Sequence, residues 1–135
     1  QAIELACEIM SDEEIVKMGQ LVESGTGFYI RHDFDSYLDY NYDAHMMMVR
    51  SCNNKFLEKY IGELLVTSNI HLLIYDDFRE TPFEEFETHT EHMEIVEALK
   101  SRDKKRCVTA LVNHTNNTYY TLGLPLKLRV NPLLK

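Results

Sequence analysis

Tryptophan is absent from this 135-residue chain, so any core must be filled by Leu, Ile, Val, Met, Phe and Tyr. Also missing is an apolar run near the ~20 residues that cross a bilayer, and no signal peptide opens the chain. These absences predict a cytoplasmic protein that makes no membrane contact. Clustered positive charge is lacking as well: the formal net charge is −8, and only Lys104-Lys105-Arg106 gathers basic residues. Three such residues start a helix more often than they make a binding patch. Without a basic surface to displace counterions from phosphates, the chain by itself should not grip DNA. Cysteine is scarce. Cys7, Cys52 and Cys107 are far apart, odd in number and set in apolar helical patterns, which reads as buried, reduced thiols. There is no internal repeat and no low-complexity stretch.

What is present suits one compact domain. Apolar residues make up 44% and charged residues 27%, a balance that buries a core and argues against disorder. Periodicity is helical nearly throughout. Ala2 to Met10 reads as the last turns of a helix already under way at Gln1, so the sequence reads as a fragment lacking upstream residues. Ser11 and Glu14 form a capping box opening a helix from about Asp12 to Glu23, which Ser24-Gly25-Thr26-Gly27 should loosen or end. A helix from about Asp33 to Cys52 carries Phe34, Leu38, Asn41, His45, Val49 and Cys52. Asn53-Asn54 breaks it. The next runs to about Tyr75, with Phe56, Leu57, Tyr60, Ile61, Leu64 and Leu65 as its apolar positions. Asp76 to Phe86, charged and holding Pro82, reads as a solvated loop in which Phe83 and Phe86 are anchors. A helix spans about Glu87 to Ser101. Asp103 caps the last, which runs to about Leu122 before Gly123 and Pro125 end it. Short loops between long amphipathic helices predict an all-α fold, an antiparallel bundle of about six helices, with residues 123–135 as a tail.

Six histidines are present. Of these, His45, His92 and His114 lie on the apolar stripes of three different helices. Asn41 precedes His45 by four residues and shares its face. A buried imidazole must have its nitrogens satisfied, and three in a bundle interior could meet at one metal. Imidazole suits Zn, Ni, Cu or Fe, and the carbonyl oxygen of Asn41 as a harder fourth donor would also admit Mn. The plainer reading is three separate core histidines, each satisfied locally; spacing alone does not bring the helices together. His89 reads as a solvated helix start that could reach a cavity, and His32 and His71 as surface or helix-end residues. Arg31, Arg50, Arg79 and Arg102 are unranked candidates for pairing with an anion.

Asn41-Tyr42-Asp43-Ala44-His45, continuing through Arg50-Ser51-Cys52-Asn53-Asn54-Lys55-Phe56-Leu57, is similar to the D-x-x-F-H … A-x-x-N-x-x-L pattern of the FCD domain, the C-terminal sensing domain of FadR-subfamily regulators in the GntR superfamily. Glu91-His92-Met93-Glu94-Ile95-Val96-Glu97-Ala98-Leu99 resembles its E-H-x-x-I-x-x-A-[IL] motif. Ser101-Arg102-Asp103, then Ala110 and Val112-Asn113-His114, resembles its closing motif. The resemblance runs from about Ala2 to Thr121. It implies an effector-binding helical domain over residues 1–122 with an incomplete first helix, around a central cavity. It also implies a winged helix-turn-helix domain upstream that is absent from this chain, and a homodimer. In many members an Asp and three His hold a divalent metal, which helps bind a small carboxylate effector. By position the histidines are His45, His92 and His114, and the Asp falls on Asn41. Asp43 is nearer in type but would point away from His45 on a straight helix. Ala44 replaces the usual Phe. Asn54 matches the family's Asn, as an effector contact or as a cap for the following helix.

The resemblance therefore implies a non-enzymatic sensor. It would bind a divalent metal of the Zn, Ni or Mn class and a small organic acid, and it would reach DNA only through the upstream domain. A second reading is a metal-dependent, hydrolase-like enzyme, since three His with an open position also describes hydrolytic zinc sites. Against it, no carboxylate stands clearly beside the His cluster as a general base. A third reading is a bundle whose histidines, with or without metal, only stabilise the fold.

Overall fold

The computed structural model describes residues 1–75 and 78–121. Six α-helices account for nearly all of them: α1 (Ala2–Ile9), α2 (Asp12–Ile30), α3 (Phe34–Ser51), α4 (Lys55–Tyr75), α5 (Thr88–Ser101) and α6 (Lys104–Thr121). A single 3-10 turn, Phe83–Glu85, interrupts the connection before α5, and no strand occurs among the described residues. The expected tail lies outside them. Short links at 31–33, 52–54 and 102–103 join α2/α3, α3/α4 and α5/α6, and each of these pairs packs together as neighbours. α1 rests on α3 and α6, and α2 packs on both α3 and α5.

Four helix starts, those of α2, α3, α4 and α6, are closed by a local side-chain cap. Ser11 Oγ accepts from Glu14 N at 3.2 Å and Glu14 Oε2 accepts from Ser11 N at 2.7 Å, which completes the capping box. Asp33 caps α3 through Ser36 N, and Asp103 caps α6 through Arg106 N. Asn54 Oδ1 accepts from the backbone N–H groups of Phe56 and Leu57, so this exposed residue caps α4. His32, Asn53 and Arg102 take positive φ (58°, 48° and 58°) where α2, α3 and α5 end. At Arg102 the unfavourable backbone is offset by its side chain. The guanidinium donates to Cys7 O (3.1 Å), Met10 O (2.6 Å) and Asp12 Oδ1 (2.6 Å), satisfying carbonyls left open where α1 ends. Arg102 is thus a tie between two corners of the bundle.

One boundary differs from the sequence expectation. Ser24-Gly25-Thr26-Gly27 does not end α2, which continues to Ile30. The two hydroxyls bond back to carbonyls one turn earlier, Ser24 to Gln20 and Thr26 to Val22. Gly25 has a packing role: a Cβ there would collide with the ring of Tyr40. Buried Tyr29 draws the last turn inward. Its ring stacks on Phe86 at 4.0 Å between centroids, and its hydroxyl proton lies between the carbonyls of Phe78 and Thr81. Phe83 and Phe86 anchor their segment as expected.

The core is built where α2 meets α5, around Ile15, Met18, Val22, Ile95, Val96 and Leu99, all at most 2% exposed. Buried Cys7 and Cys107 join it as free thiols. On α4 the apolar pattern divides. Leu57, Ile61 and Leu65 turn inward, but Phe56, Tyr60 and Leu64 are 76%, 56% and 67% exposed. Among the described residues, α4 packs chiefly on α3.

Candidate metal centre

His45 sits midway along α3, His92 near the start of α5 and His114 in the second half of α6. The packing of α5 on α6, and of both with α2 and α1 around α3, brings the three rings together. Ring centroids are 5.2 Å apart for His45–His92, 5.2 Å for His45–His114 and 4.5 Å for His92–His114. His114 Nε2 lies 3.2 Å from His92 Nε2 and 3.3 Å from His45 Nε2. The convergence expected of the three imidazoles is therefore present in the fold. The three can each offer one ligand nitrogen within a mutual 4.8 Å.

That geometry suits a cation. Nitrogens about 2.0–2.1 Å from a tetrahedral zinc lie about 3.3–3.4 Å from one another. The hydrogen-bond inventory points the same way. Glu91 Oε2 lies 2.7 Å from His114 Nδ1, and a carboxylate only accepts, so this nitrogen carries the proton. With Nδ1–H given to Glu91, the neutral form of His114 has one lone pair at Nε2, and two other Nε2 atoms are directed at it. Two donors cannot both be satisfied by one lone pair, whereas three inward lone pairs suit a positive ion.

Burial keeps the His45 and His92 rings neutral, as ligation requires. Burial, then the charge of His114, lowers His45 to about 3. Burial, followed by His114, His45 and His89, holds His92 well below its usual range. The Tyr40 hydroxyl contacts His92 Nδ1, and burial raises the phenol's pKa, so it stays a neutral partner able to accept from Nδ1–H. Glu91 is held in turn by Asn117 Nδ2 on its other oxygen. Each outer contact fixes which ring nitrogen faces inward.

Asn41 is buried, 8% exposed, whereas Asp43 is exposed. The preference for Asn41 over Asp43 thus agrees with the way α3 is rotated. Asn41 Nδ2 donates to Asn69 Oδ1 at 3.0 Å, and Asn69 Nδ2 donates to Leu38 O at 3.1 Å. The remaining histidines lie elsewhere. His89 is half-buried against Thr26 rather than solvated, His32 is exposed at the end of α2, and His71 Nδ1 contacts Thr67 O within α4. Among the arginines, Arg102 is committed to α1 and Arg50 faces Glu58 at 3.8 Å.

Sequence reasoning named Glu91 only as part of a motif and gave no role to it or to Tyr40, Asn69 and Asn117. It also found no carboxylate beside the cluster. Glu91 is one, but it supports His114 from the Nδ1 side, away from the point where the Nε2 atoms meet. Its position directly before His92 was the available signal. Tyr40 likewise stands directly before Asn41.

Comparison with known proteins agrees with this architecture. A search of curated proteins returns no match. Among solved structures, E. coli McbR/YncC matches with a TM-score of 0.79 at 21% identity, over 90% of this chain and 60% of that one. At that identity the likeness speaks for the fold. The family model described as FCD domain matches residues 1–117, which hold all three histidines. This chain belongs to the FCD domain family, as an effector-binding helical domain.

Proposed function

We propose that this domain is a sensor in which His45, His92 and His114, with the carbonyl oxygen of Asn41, hold a divalent metal of the Zn, Ni or Mn class. A small organic acid would bind beside it and control DNA binding by an upstream winged helix-turn-helix domain in a homodimeric GntR-type regulator. The observation that carries this reading is the meeting of three Nε2 atoms from three helices at 3.2 and 3.3 Å. The metal supplies a fixed positive charge to which a carboxylate is attracted. The chain's own groups do the rest. Glu91 and Tyr40 hold the tautomers of His114 and His92, and burial keeps added protons off His45 and His92. An acid that prefers one of two domain arrangements tenfold biases them by about 1.4 kcal/mol. Glu91 faces the back of His114 and is engaged by Asn117, so it is placed for orientation rather than as a base, which favours a sensor over a hydrolase.

Elemental analysis of protein purified without added metal, followed by titration of the stripped protein with Zn2+, tests the metal site. One ion per chain is expected, lost in His92→Gln. A panel of small carboxylates should then raise the melting temperature of loaded protein, without being consumed, and leave stripped protein unchanged. Absence of stoichiometric metal in both experiments overturns the reading.

A further inference from the structure

Asn69 lies on α4, outside every motif of the sequence, yet it is the hydrogen-bond partner of Asn41. The polarity of the two amides follows from the end of their chain. The backbone carbonyl of Leu38 can only accept, so the Asn69 group 3.1 Å from it must be Nδ2. Asn69 then turns Oδ1 toward Asn41, and an oxygen there requires Nδ2 of Asn41, at 3.0 Å. With its NH2 group committed, Asn41 has Oδ1 as the end available to a cation. It lies one helical turn before His45 on the same face of α3. Leu38 sits on α3 as well, so the relay leaves that helix at Asn41, turns on Asn69 and returns about one turn earlier.

A carboxylate would need no such arrangement, because either oxygen can serve. An amide has one oxygen and one NH2, and reversed it would present donors to a cation. We infer that Asn69 is the positioning residue that makes Asn41 usable as a neutral oxygen ligand. The inference rests on the metal-binding reading above and extends it to a residue of α4. A four-donor set without a carboxylate leaves the full charge of the ion uncompensated by its ligands.

A double-mutant cycle on the stripped domain tests this, with Zn2+ and Mn2+ affinities measured by competition against a chelating dye. Asn69→Leu keeps the approximate volume and removes the acceptor. In the natural background it should weaken binding ten- to a hundredfold, the usual effect of losing an outer partner of a ligand. In the Asn41→Asp background it should weaken binding less than threefold, since a carboxylate needs no orientation. X-ray absorption of loaded Asn69→Leu should show one fewer oxygen neighbour. Equal losses in both backgrounds, or no loss in either, overturn the assignment. Should the natural chain bind metal, lose it in His92→Gln and keep it in Asn69→Leu, the three-imidazole reading stands and this one falls. Should the natural chain bind neither ion, both fall.

Discussion

Glu91 and His114 meet through Oε2 and Nδ1 at 2.7 Å, with side chains only 14% and 8% exposed. One sits at the start of α5 and the other far along α6, so the contact also registers the two helices against each other. Removing the carboxylate should be felt in metal affinity before it is felt in folding. Glu91→Ala should weaken metal binding about 10- to 100-fold. Glu91→Gln, which keeps an acceptor oxygen, should weaken it less. Competition titration of both variants checks the order, and equal affinities for all three proteins would contradict the orienting role.

Stability of the metal-stripped domain should fall with acid earlier than carboxylates alone would make it. The folded values of His45 (about 3) and His92 lie below the ordinary 6.5. The unfolded chain therefore binds more protons below pH 6.5. Each such ring removes up to about 1.4 kcal/mol per pH unit from there down to its own folded value. The lowered carboxyls Glu14, Asp33, Glu58 and Glu94 act only further down, from their unfolded values near 4. Urea midpoints at pH 7.5, 6.5, 5.5 and 5.0 should decline across the last three. A flat profile would contradict neutral buried rings.

Gly25→Ala should disturb the metal centre from a distance. The new methyl meets the Tyr40 ring, whose hydroxyl holds His92. Overpacking of this kind costs about 1–3 kcal/mol. Gly19→Ala is the control, since its methyl would lie 3.4 Å from Val96 Cγ1. There a gain of up to about 1 kcal/mol from helix propensity can appear. Thermal melts and metal titrations of the pair should separate sharply, and equal behaviour would refute the close approach.

Arg102→Ala should destabilise the fold by about 1–3 kcal/mol, because the carbonyls of Cys7 and Met10 lose their donor while the strained backbone stays. Asp12→Ala, which removes only a solvent-facing partner, should cost little. Chemical denaturation measures both. A neutral Arg102→Ala would show that α1 is held by packing alone.

Four helix starts were legible because each rests on a few neighbouring residues. Ser11 with Glu14, Asp33, Asn54 and Asp103 all bond within three positions of themselves. The three clustered histidines were legible as core-facing positions, but their meeting rested on resemblance to a family. The roles of Glu91, Tyr40 and Asn69 were not found, because they depend on the register between helices, which no local pattern encodes. The same limit explains α2: Gly25 looked like a terminator when its reason is a ring on α3. It explains α4 too, where the apolar positions Phe56, Tyr60 and Leu64 are exposed among the described residues while the helix packs chiefly on α3.

The histidine contacts join residues 22 and 69 positions apart, whereas the side-chain caps that start α2, α3, α4 and α6 close within three. Helices can therefore exist in this chain before the imidazole cluster does. An acid-expanded form keeping its far-ultraviolet helical signal but not its side-chain packing would scatter these rings. The cluster is thus a property of the docked helices rather than of any one of them, and its integrity reports whether tertiary assembly is complete.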